Sequence, residues 1–336
     1  MASNSTTEKE NLHPTSANGV TSEPLSRTTS HAAINPSPAR RTSVASLNLR
    51  DRLERDGYVH IPSLIKAPQL TAIRNAAHHA TDLARKGQWP FIRTLPKQFP
   101  PWGSDASRGI WGVQHLLHPS MPGGGLFAES YFGDAIVDCV AEILGCEEEG
   151  KEDVLIMELY NLLVRPDEDF ELRWHRDDIP ADATDEEELQ RLGKPSWHAQ
   201  WNLALYDDHS LIVVPGSHMR ARTKAEREAD PFTKFMPGQE VVHMKAGDVV
   251  FYNNNIVHRG VYDSKVERMT LHGSMGHVKG SALRARNVLQ HGVGEWVDKV
   301  DFGALEEKTR ARAEGMRERL VKMGRESGDV GFAHPD

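Results

Sequence analysis

The first chemical signal in this chain is a pair of residues two positions apart. His175 and Asp177 lie within Trp174-His175-Arg176-Asp177-Asp178, and on an extended segment side chains two apart project from the same face. A neutral imidazole and a carboxylate so placed can reach a single ion. His258, far downstream, offers a third ligand. Two histidines and one carboxylate on one side of a metal leave the opposite positions open, which suits non-haem Fe(II) and dioxygen.

His-x-Asp is a common pattern, so the residues beyond His258 carry more of the argument. Arg268 follows across a turn at Tyr262-Asp263-Ser264-Lys265. A hairpin there returns Arg268 to the neighbourhood of His258, with Thr270 on the same strand face. A guanidinium buried beside a metal needs an anion. Its fork fits a carboxylate, and the Thr270 hydroxyl would be a second donor. A metal beside a dedicated carboxylate site is what a 2-oxo-acid cosubstrate requires.

These groups need strands to hold them. From Val154 onward the chain breaks into short β-prone runs: Val154–Val164, Trp197–Tyr206, Leu211–Val214, Glu240–Met244, Asp248–Tyr252 and Arg268–Met275. Turn signals such as Arg165-Pro166, Pro215-Gly216-Ser217 and Ala246-Gly247-Asp248 separate them. Many short strands without alternating helices predict an antiparallel sandwich or jelly roll. Helical spacing predicts helices near Leu47–Arg55, stopped at Asp56-Gly57, then over Leu70–Gly87, Phe127–Leu144 and Asp301–Met323. Thr184 with Glu187 forms a capping-box pattern that opens a short acidic helix. That helix is read first as a solvated surface element and second as a lid at the mouth of the site. The stretch Trp89–Gly103, rich in Pro, Gly and aromatic residues, is expected to be a loop bordering the site.

Residues 1–45 are polar and poor in large apolar side chains, which predicts a disordered tail. The expected organisation is that tail, a catalytic jelly-roll domain with its N-terminal helices over 46–280, and a helical extension over 281–336. The net charge of the 336 residues is −8, which argues against nucleic acid as the partner. No apolar run is long enough to span a bilayer. Two cysteines, Cys139 and Cys146, are too few for a disulfide framework, so a reduced, cytoplasmic protein is expected.

Taken together, the motifs resemble the phytanoyl-CoA dioxygenase-like family of Fe(II)/2-oxoglutarate oxygenases. The matching pieces run from Arg55-Asp56-Gly57-Tyr58-Val59-His60-Ile61-Pro62 through His175-Arg176-Asp177-Asp178 and Trp201-Asn202-Leu203-Ala204-Leu205 to Val213-Val214-Pro215-Gly216-Ser217-His218. Lys245-Ala246-Gly247-Asp248-Val249-Val250-Phe251, His258-Arg259-Gly260 and Arg268 complete the series. The resemblance implies a mainly β fold with flanking helices around a double-stranded β-helix, the cupin-like jelly roll. It implies that His175, Asp177 and His258 hold iron and that Arg268 binds the distal carboxylate of 2-oxoglutarate. Thr270, Trp201 and Asn161 would line the cosubstrate pocket. The family often carries Ser two places after its second metal histidine; Gly260 stands there, so that hydrogen bond is either missing or supplied by Thr270.

By the same resemblance Fe(II), 2-oxoglutarate and dioxygen are the expected cofactors, with ascorbate to keep the iron reduced. The expected partner is a small-molecule substrate, with no nucleic acid and no membrane, and a homodimer is left open as the assembly. The expected activity is oxidation, foremost hydroxylation, of a small organic substrate in specialised metabolism or in lipid and acyl-CoA oxidation. A cupin-like protein that binds metal without turnover is the competing reading, and it leaves Arg268 without a purpose. Among 17 histidines, His60, His198, His218, His272 and His277 receive no assignment.

Overall fold

The structure is a computed structural model, and it describes residues 48–328 apart from Glu147. By its contacts the chain divides into Met1–Thr42 and Ser43–Asp336, and every described residue lies in the second unit. The expected disordered tail over 1–45 lies outside the described residues.

The described chain opens with α1 (Leu49–Asp56), β1 (Tyr58–Ile61), α2 (Ala67–Arg85), β2 (Ile92–Thr94) and β3 (Ile110–Val113). There follow α3 (Gly124–Phe132), α4 (Asp134–Leu144), α5 (Lys151–Val154), β4 (Leu155–Val164), β5 (Phe170–Glu171), α6 (Asp185–Leu192) and β6 (His198–Ala204). After these come β7 (Leu211–Val214), α7 (Lys224–Glu228), β8 (Glu240–Val241), β9 (Val249–Tyr252), β10 (Val257–Tyr262) and β11 (Met269–His277). Two further helices, α8 (Ala282–Gln290) and α9 (Glu307–Arg325), complete it.

The strands form two antiparallel sheets. One has seven strands in the order β1-β9-β6-β11-β4-β3-β2, the other four in the order β5-β10-β7-β8. Ala204, Val250 and Tyr252 of the larger sheet pack on Leu211, Val213 and Ile256 beside the smaller one. Trp111 and Leu163 meet Leu172 and Tyr262 in the same way. The sheets therefore face each other as a jelly roll with helices on the outer face of the larger sheet, as the sequence predicts.

Parity along each strand divides the larger sheet into two surfaces. Ala199, Trp201 and Leu203 of β6 enter the main apolar core with Phe127, Tyr131 and Phe132 of α3 and Ile136, Val137 and Val140 of α4. His198, Gln200 and Asn202 of the same strand face the space between the sheets. In β4 a register shift opposite Gly273 and Met275 changes the alternation. Such a bulge re-aims side chains: Met157 joins the core, whereas Leu159 and Leu163 line the inter-sheet space.

Local boundaries follow from single residues. Gly57 ends α1 in the left-handed region at φ 82° with its N–H bonded to Leu53 O, a conformation that suits glycine. The single helix predicted over Phe127–Leu144 is two, because Gly133 takes an extended conformation at φ −67° and ψ 153° and separates α3 from α4. The capping box of α6 forms as predicted, with the Thr184 side chain accepting from Glu187 N–H. β2 lies within the stretch expected to be loop, and α8 in a stretch to which no element was assigned. Both helices of the C-terminal part join the common core, α8 through Ala285 and Val288 and α9 through Ala313, Met316 and Leu320.

Candidate metal and cosubstrate site

The metal motif is held by β10. β5 pairs with β10 through Glu171↔Val261 and Phe170↔Tyr262, and the chain beyond β5 stays alongside it. His175 and His258 then face each other across an antiparallel bridge, exchanging two backbone hydrogen bonds of 3.0 Å. Directly opposed residues project to the same side, and the two imidazole centroids are 4.3 Å apart. Asp177, one alternation farther on, is tied by its N–H to Asn254 O at 2.8 Å. Its Oδ1 lies 3.4 Å from His175 Nε2 and 3.5 Å from His258 Nε2. The donor atoms of the three residues all fall within 4.8 Å of one another, the one such cluster among the described residues.

The hydrogen bonds set the chemistry of these donors. His258 Nδ1 donates to Ile256 O at 2.9 Å, and His175 Nδ1 to Arg173 O at 2.8 Å. With the proton on Nδ1, each Nε2 presents a lone pair to its neighbours, which is the tautomer a metal ligand needs. Burial and the adjacent His175 push His258 down to about 4, so it is neutral at physiological pH. Burial acts against the Asp177 carboxylate, but His258 and His175, with the Gln200 amide donating to Oδ2 at 2.9 Å, hold it well below the usual carboxylate range. Two imidazoles that present Nε2 and one carboxylate fit Fe(II).

Arg176, between the two ligands, points the other way and is fully buried. Its guanidinium donates to Ser217 O and Arg220 O at 3.0 Å each, and to Asn255 O. Glu188 of α6 stands 3.6 Å from it and also pairs with Arg222 and Arg227. The acidic helix is thus more than a solvated element: its Glu188 is buried among three arginines behind the metal motif. Its last residues, Arg191 and Leu192, border a cavity outside the site.

Arg268, immediately before β11, is buried and lines the inter-sheet cavity, but not by the expected hairpin. β10 pairs with β5 and β7, and β11 with β4 and β6, so the chain crosses from one sheet to the other between them. Nε donates to Asp208 Oδ2 at 2.7 Å, and Nη2 donates to Thr270 Oγ1. Nη1 is buried and has no hydrogen-bond partner among the described residues. Asp208 is in turn fixed by the N–H and hydroxyl of Ser210 at 3.0 and 2.7 Å. A buried guanidinium with two arms anchored and one idle is prepared for an incoming carboxylate. Thr270 accepts from Arg268 and orients it, and it does not itself line the cavity.

Tyr262 stands beside this arm, its ring 4.7 Å below the Arg268 guanidinium. Its hydroxyl occupies the space that a Cβ at position 260 would need. Gly260 therefore admits a phenol next to Arg268, and Tyr262 lines the cavity. Arg93 of β2 also lines the cavity, stacked on Trp102 at 4.8 Å and Trp111 at 5.0 Å. Burial pushes it down to about 10, which leaves it charged at neutral pH.

Besides Thr270, two expected pocket residues do not line the cavity. Trp201 is on the core face of β6, stacked near Tyr131 and Phe251 at centroid distances of 5.5 and 5.8 Å. The cavity residues of that strand are its neighbours Gln200 and Asn202, since adjacent residues on a strand face opposite ways. Asn161 is held back by the backbone, its Oδ1 accepting from His115 N–H at 3.0 Å. The sequence reading also passed over Asp208, Gln200, Asn202, Tyr262 and His272; the period-two pattern of β6 and the Gly260-x-Tyr262 spacing were the signals available. Of the loop Trp89–Gly103, Arg93, Gln98, Phe99, Pro100 and Trp102 do line the cavity, as expected.

A fold and site of this kind define a class, and the sequence defines the family within it. A model of the family described as phytanoyl-CoA dioxygenase (PhyH) matches residues 53–262, and the chain belongs to that family. Iron and 2-oxoglutarate are its cofactors, and the triad and the Arg268 site fit them. No curated protein matches the chain at a significant level. Among solved structures it is similar to the non-heme alpha ketoglutarate dependent epimerase SnoN from nogalamycin biosynthesis, at 19% identity over 68% of this chain and 79% of that one, with a TM-score of 0.44. It is similar to EctD from S. alaskensis with 2-oxoglutarate and 5-hydroxyectoine, at 18% identity over 69% and 76% of the two chains, with a TM-score of 0.48. HygX from Streptomyces hygroscopicus, with nickel and 2-oxoglutarate bound, shares 15% identity over 67% and 85%, with a TM-score of 0.45. Among the described residues no helix is long and apolar enough to cross a membrane.

Proposed function

We propose that the protein is an Fe(II)- and 2-oxoglutarate-dependent dioxygenase that hydroxylates a small polar organic molecule. The observation that carries this reading is the idle Nη1 of buried Arg268 in the same cavity as the triad. A protein that only held metal would have no use for that arm, because an unpaired buried donor is costly. When bound, iron and 2-oxoglutarate together supply the oxidising chemistry, in which dioxygen is consumed and succinate and carbon dioxide are released.

The chain's own residues position these groups. His175, Asp177 and His258 hold the metal, and their shared side of the site leaves the rest of its coordination open. Arg268 takes the distal carboxylate in a forked hydrogen bond, Asp208 and Thr270 fix its plane, and the Tyr262 hydroxyl donates beside it. Arg93 adds positive charge to the same cavity, which suits a dianionic cosubstrate. Phe99, Trp102 and Trp111 exclude water from the chamber, so charges inside it interact more strongly than in solvent.

The inner cavity encloses about 240 Å³, small beside the roughly 300–1,000 Å³ of ordinary ligand pockets. A nucleotide-sized carrier would lie outside it, and this favours a compact substrate over a coenzyme A thioester. An outer cavity of about 570 Å³ adjoins the inner one, sharing Asp178, His198, Asn254, Arg284 and Asn287, and gives the route inward. The test is oxygen-dependent succinate release by the iron-loaded protein, screened against grouped small molecules. Substrate-stimulated release that His175→Ala and Arg268→Ala both lose supports the reading. Failure of the wild type to bind iron and 2-oxoglutarate under anaerobic conditions refutes it.

A further inference from the structure

The wall of the inner cavity that closes against the strands comes from α8. Arg284, Asn287, Val288 and His291 line the cavity, at the spacing i, i+3, i+4, i+7 that puts residues on one helical face. The helix lies beyond the stretch 53–262 that the family model matches. It is firmly seated. Arg284 grips the fully buried Glu158 through two bonds of 2.8 Å, and Glu158 also binds His198 Nδ1 at 2.7 Å. Ala285 and Val288 are in the core. α8 is a fixed wall.

One polar group on this wall is left over. Asn287 Oδ1 is buried and receives no hydrogen bond among the described residues, whereas Nε and Nη2 of its neighbour Arg284 are paired with Glu158. An unmet buried acceptor is destabilising, so a native protein keeps one where something else supplies the donor. Asn287 also lines the outer cavity, so it stands where the two chambers meet.

We propose that Asn287 is a substrate-recognition residue, whose Oδ1 accepts a hydrogen bond from a hydroxyl, amine or amide N–H of the substrate. The proposal rests on the reading of the site as that of a 2-oxoglutarate oxygenase and names the class of molecule it takes.

The test uses the full chain loaded with Zn(II), as a redox-silent stand-in for iron, and 2-oxoglutarate. Small primary amides, amines and alcohols are paired with N,N-dimethylamide, trimethylammonium and O-methyl ether counterparts lacking the donor, and their binding is followed by ligand-observed NMR. The wild type should favour donor-bearing probes by about tenfold, the ratio that 1.4 kcal/mol gives. Asn287→Asp, which keeps an acceptor at the same place, should retain that preference, and Asn287→Leu and Asn287→Ala should lose it. Zinc and 2-oxoglutarate affinities, measured by calorimetry on the same samples, should be equal in all four proteins. Equal binding of methylated and unmethylated probes to the wild type, or no donor-bearing probe binding at all, overturns the assignment. So does a preference that survives in Asn287→Leu. Loss of zinc and 2-oxoglutarate binding in the wild type instead overturns the reading of the site, and this assignment with it.

Discussion

Replacing Tyr262 by Phe removes a single hydroxyl from the cosubstrate site and leaves everything else in place. The ring keeps its stacking on Trp111 and Phe170, each at a centroid distance of 6.2 Å, and its position 4.7 Å below the Arg268 guanidinium. Burial pushes the Tyr262 phenol up, against the opposing pull of Arg268, so it is protonated and able to donate at neutral pH. A hydrogen bond to a charged acceptor contributes about 1.5–3 kcal/mol. The dissociation constant for 2-oxoglutarate should therefore rise by about 10- to 100-fold, with iron affinity unchanged. Anaerobic titration of the Fe(II) protein with 2-oxoglutarate, followed by its visible charge-transfer absorption, reads this directly. Gly260→Ala should weaken 2-oxoglutarate by the same route, because the new methyl group takes the space of the Tyr262 hydroxyl. An affinity for Tyr262→Phe equal to that of the wild type would refute the reasoning, since the phenol would then face something other than the carboxylate.

His175→Ala and Asp177→Ala should each abolish stoichiometric iron binding while leaving the far-UV circular dichroism intact; metal analysis showing full iron in His175→Ala would remove that residue from the site. Arg268→Ala should weaken 2-oxoglutarate by about 2–5 kcal/mol, and Arg268→Lys should recover only part of this because a point charge cannot form the fork. Asp208→Asn, which loosens the anchor of Arg268, should fall between the two, and an unchanged cosubstrate dissociation constant in all three would sink the carboxylate assignment. Glu188→Gln deprives the buried Arg176 and Arg222 of their ion-pair partner, which costs about 3–5 kcal/mol and should appear as a lower melting temperature. Burial pushes His115 and His272 down to about 3, below the roughly 6.5 of an unfolded histidine. The unfolded chain therefore binds more protons between these values. Stability is complete above about pH 6.5 and falls as pH drops toward 3, by up to about 1.4 kcal/mol per pH unit for each histidine. Urea midpoints at pH 7 and 5 measure this slope. His115→Asn, which tolerates the φ of 62° at that position, should flatten it, and equal midpoints at the two pH values in the wild type would contradict it.

The sequence determines the parts of this protein that depend on local rules. His175 and Asp177 share a face because extended backbone repeats every two residues, and Gly57 stops α1 because few other residues accept its backbone conformation. The residue types of His258 and Arg268 mark a metal ligand and a carboxylate partner, but the hairpin expected between them is instead a crossover from the smaller sheet to the larger, and the two meet only as residues of one cavity. The jelly roll is legible, since short β-prone runs between turn signals admit few antiparallel arrangements.

Tertiary structure decides which face of each strand meets the cavity and what closes it. Trp201 and Gln200 are adjacent in sequence, and only the packing of α3 and α4 on one side of β6 sends the indole to the core and the amide to the site. The bulge in β4 separates Met157 from Leu159 through its pairing with β11, information that β4 alone does not contain. Asp208 joins Arg268 across 60 residues, and Glu158 joins Arg284 across 126; no local pattern marks either pair. Hydrogen bonds, turns and period-two alternation act over a few residues and are written in the chain. The facing of two sheets and the docking of α8 depend on which apolar surfaces are buried together, and that is fixed only when the whole fold has formed.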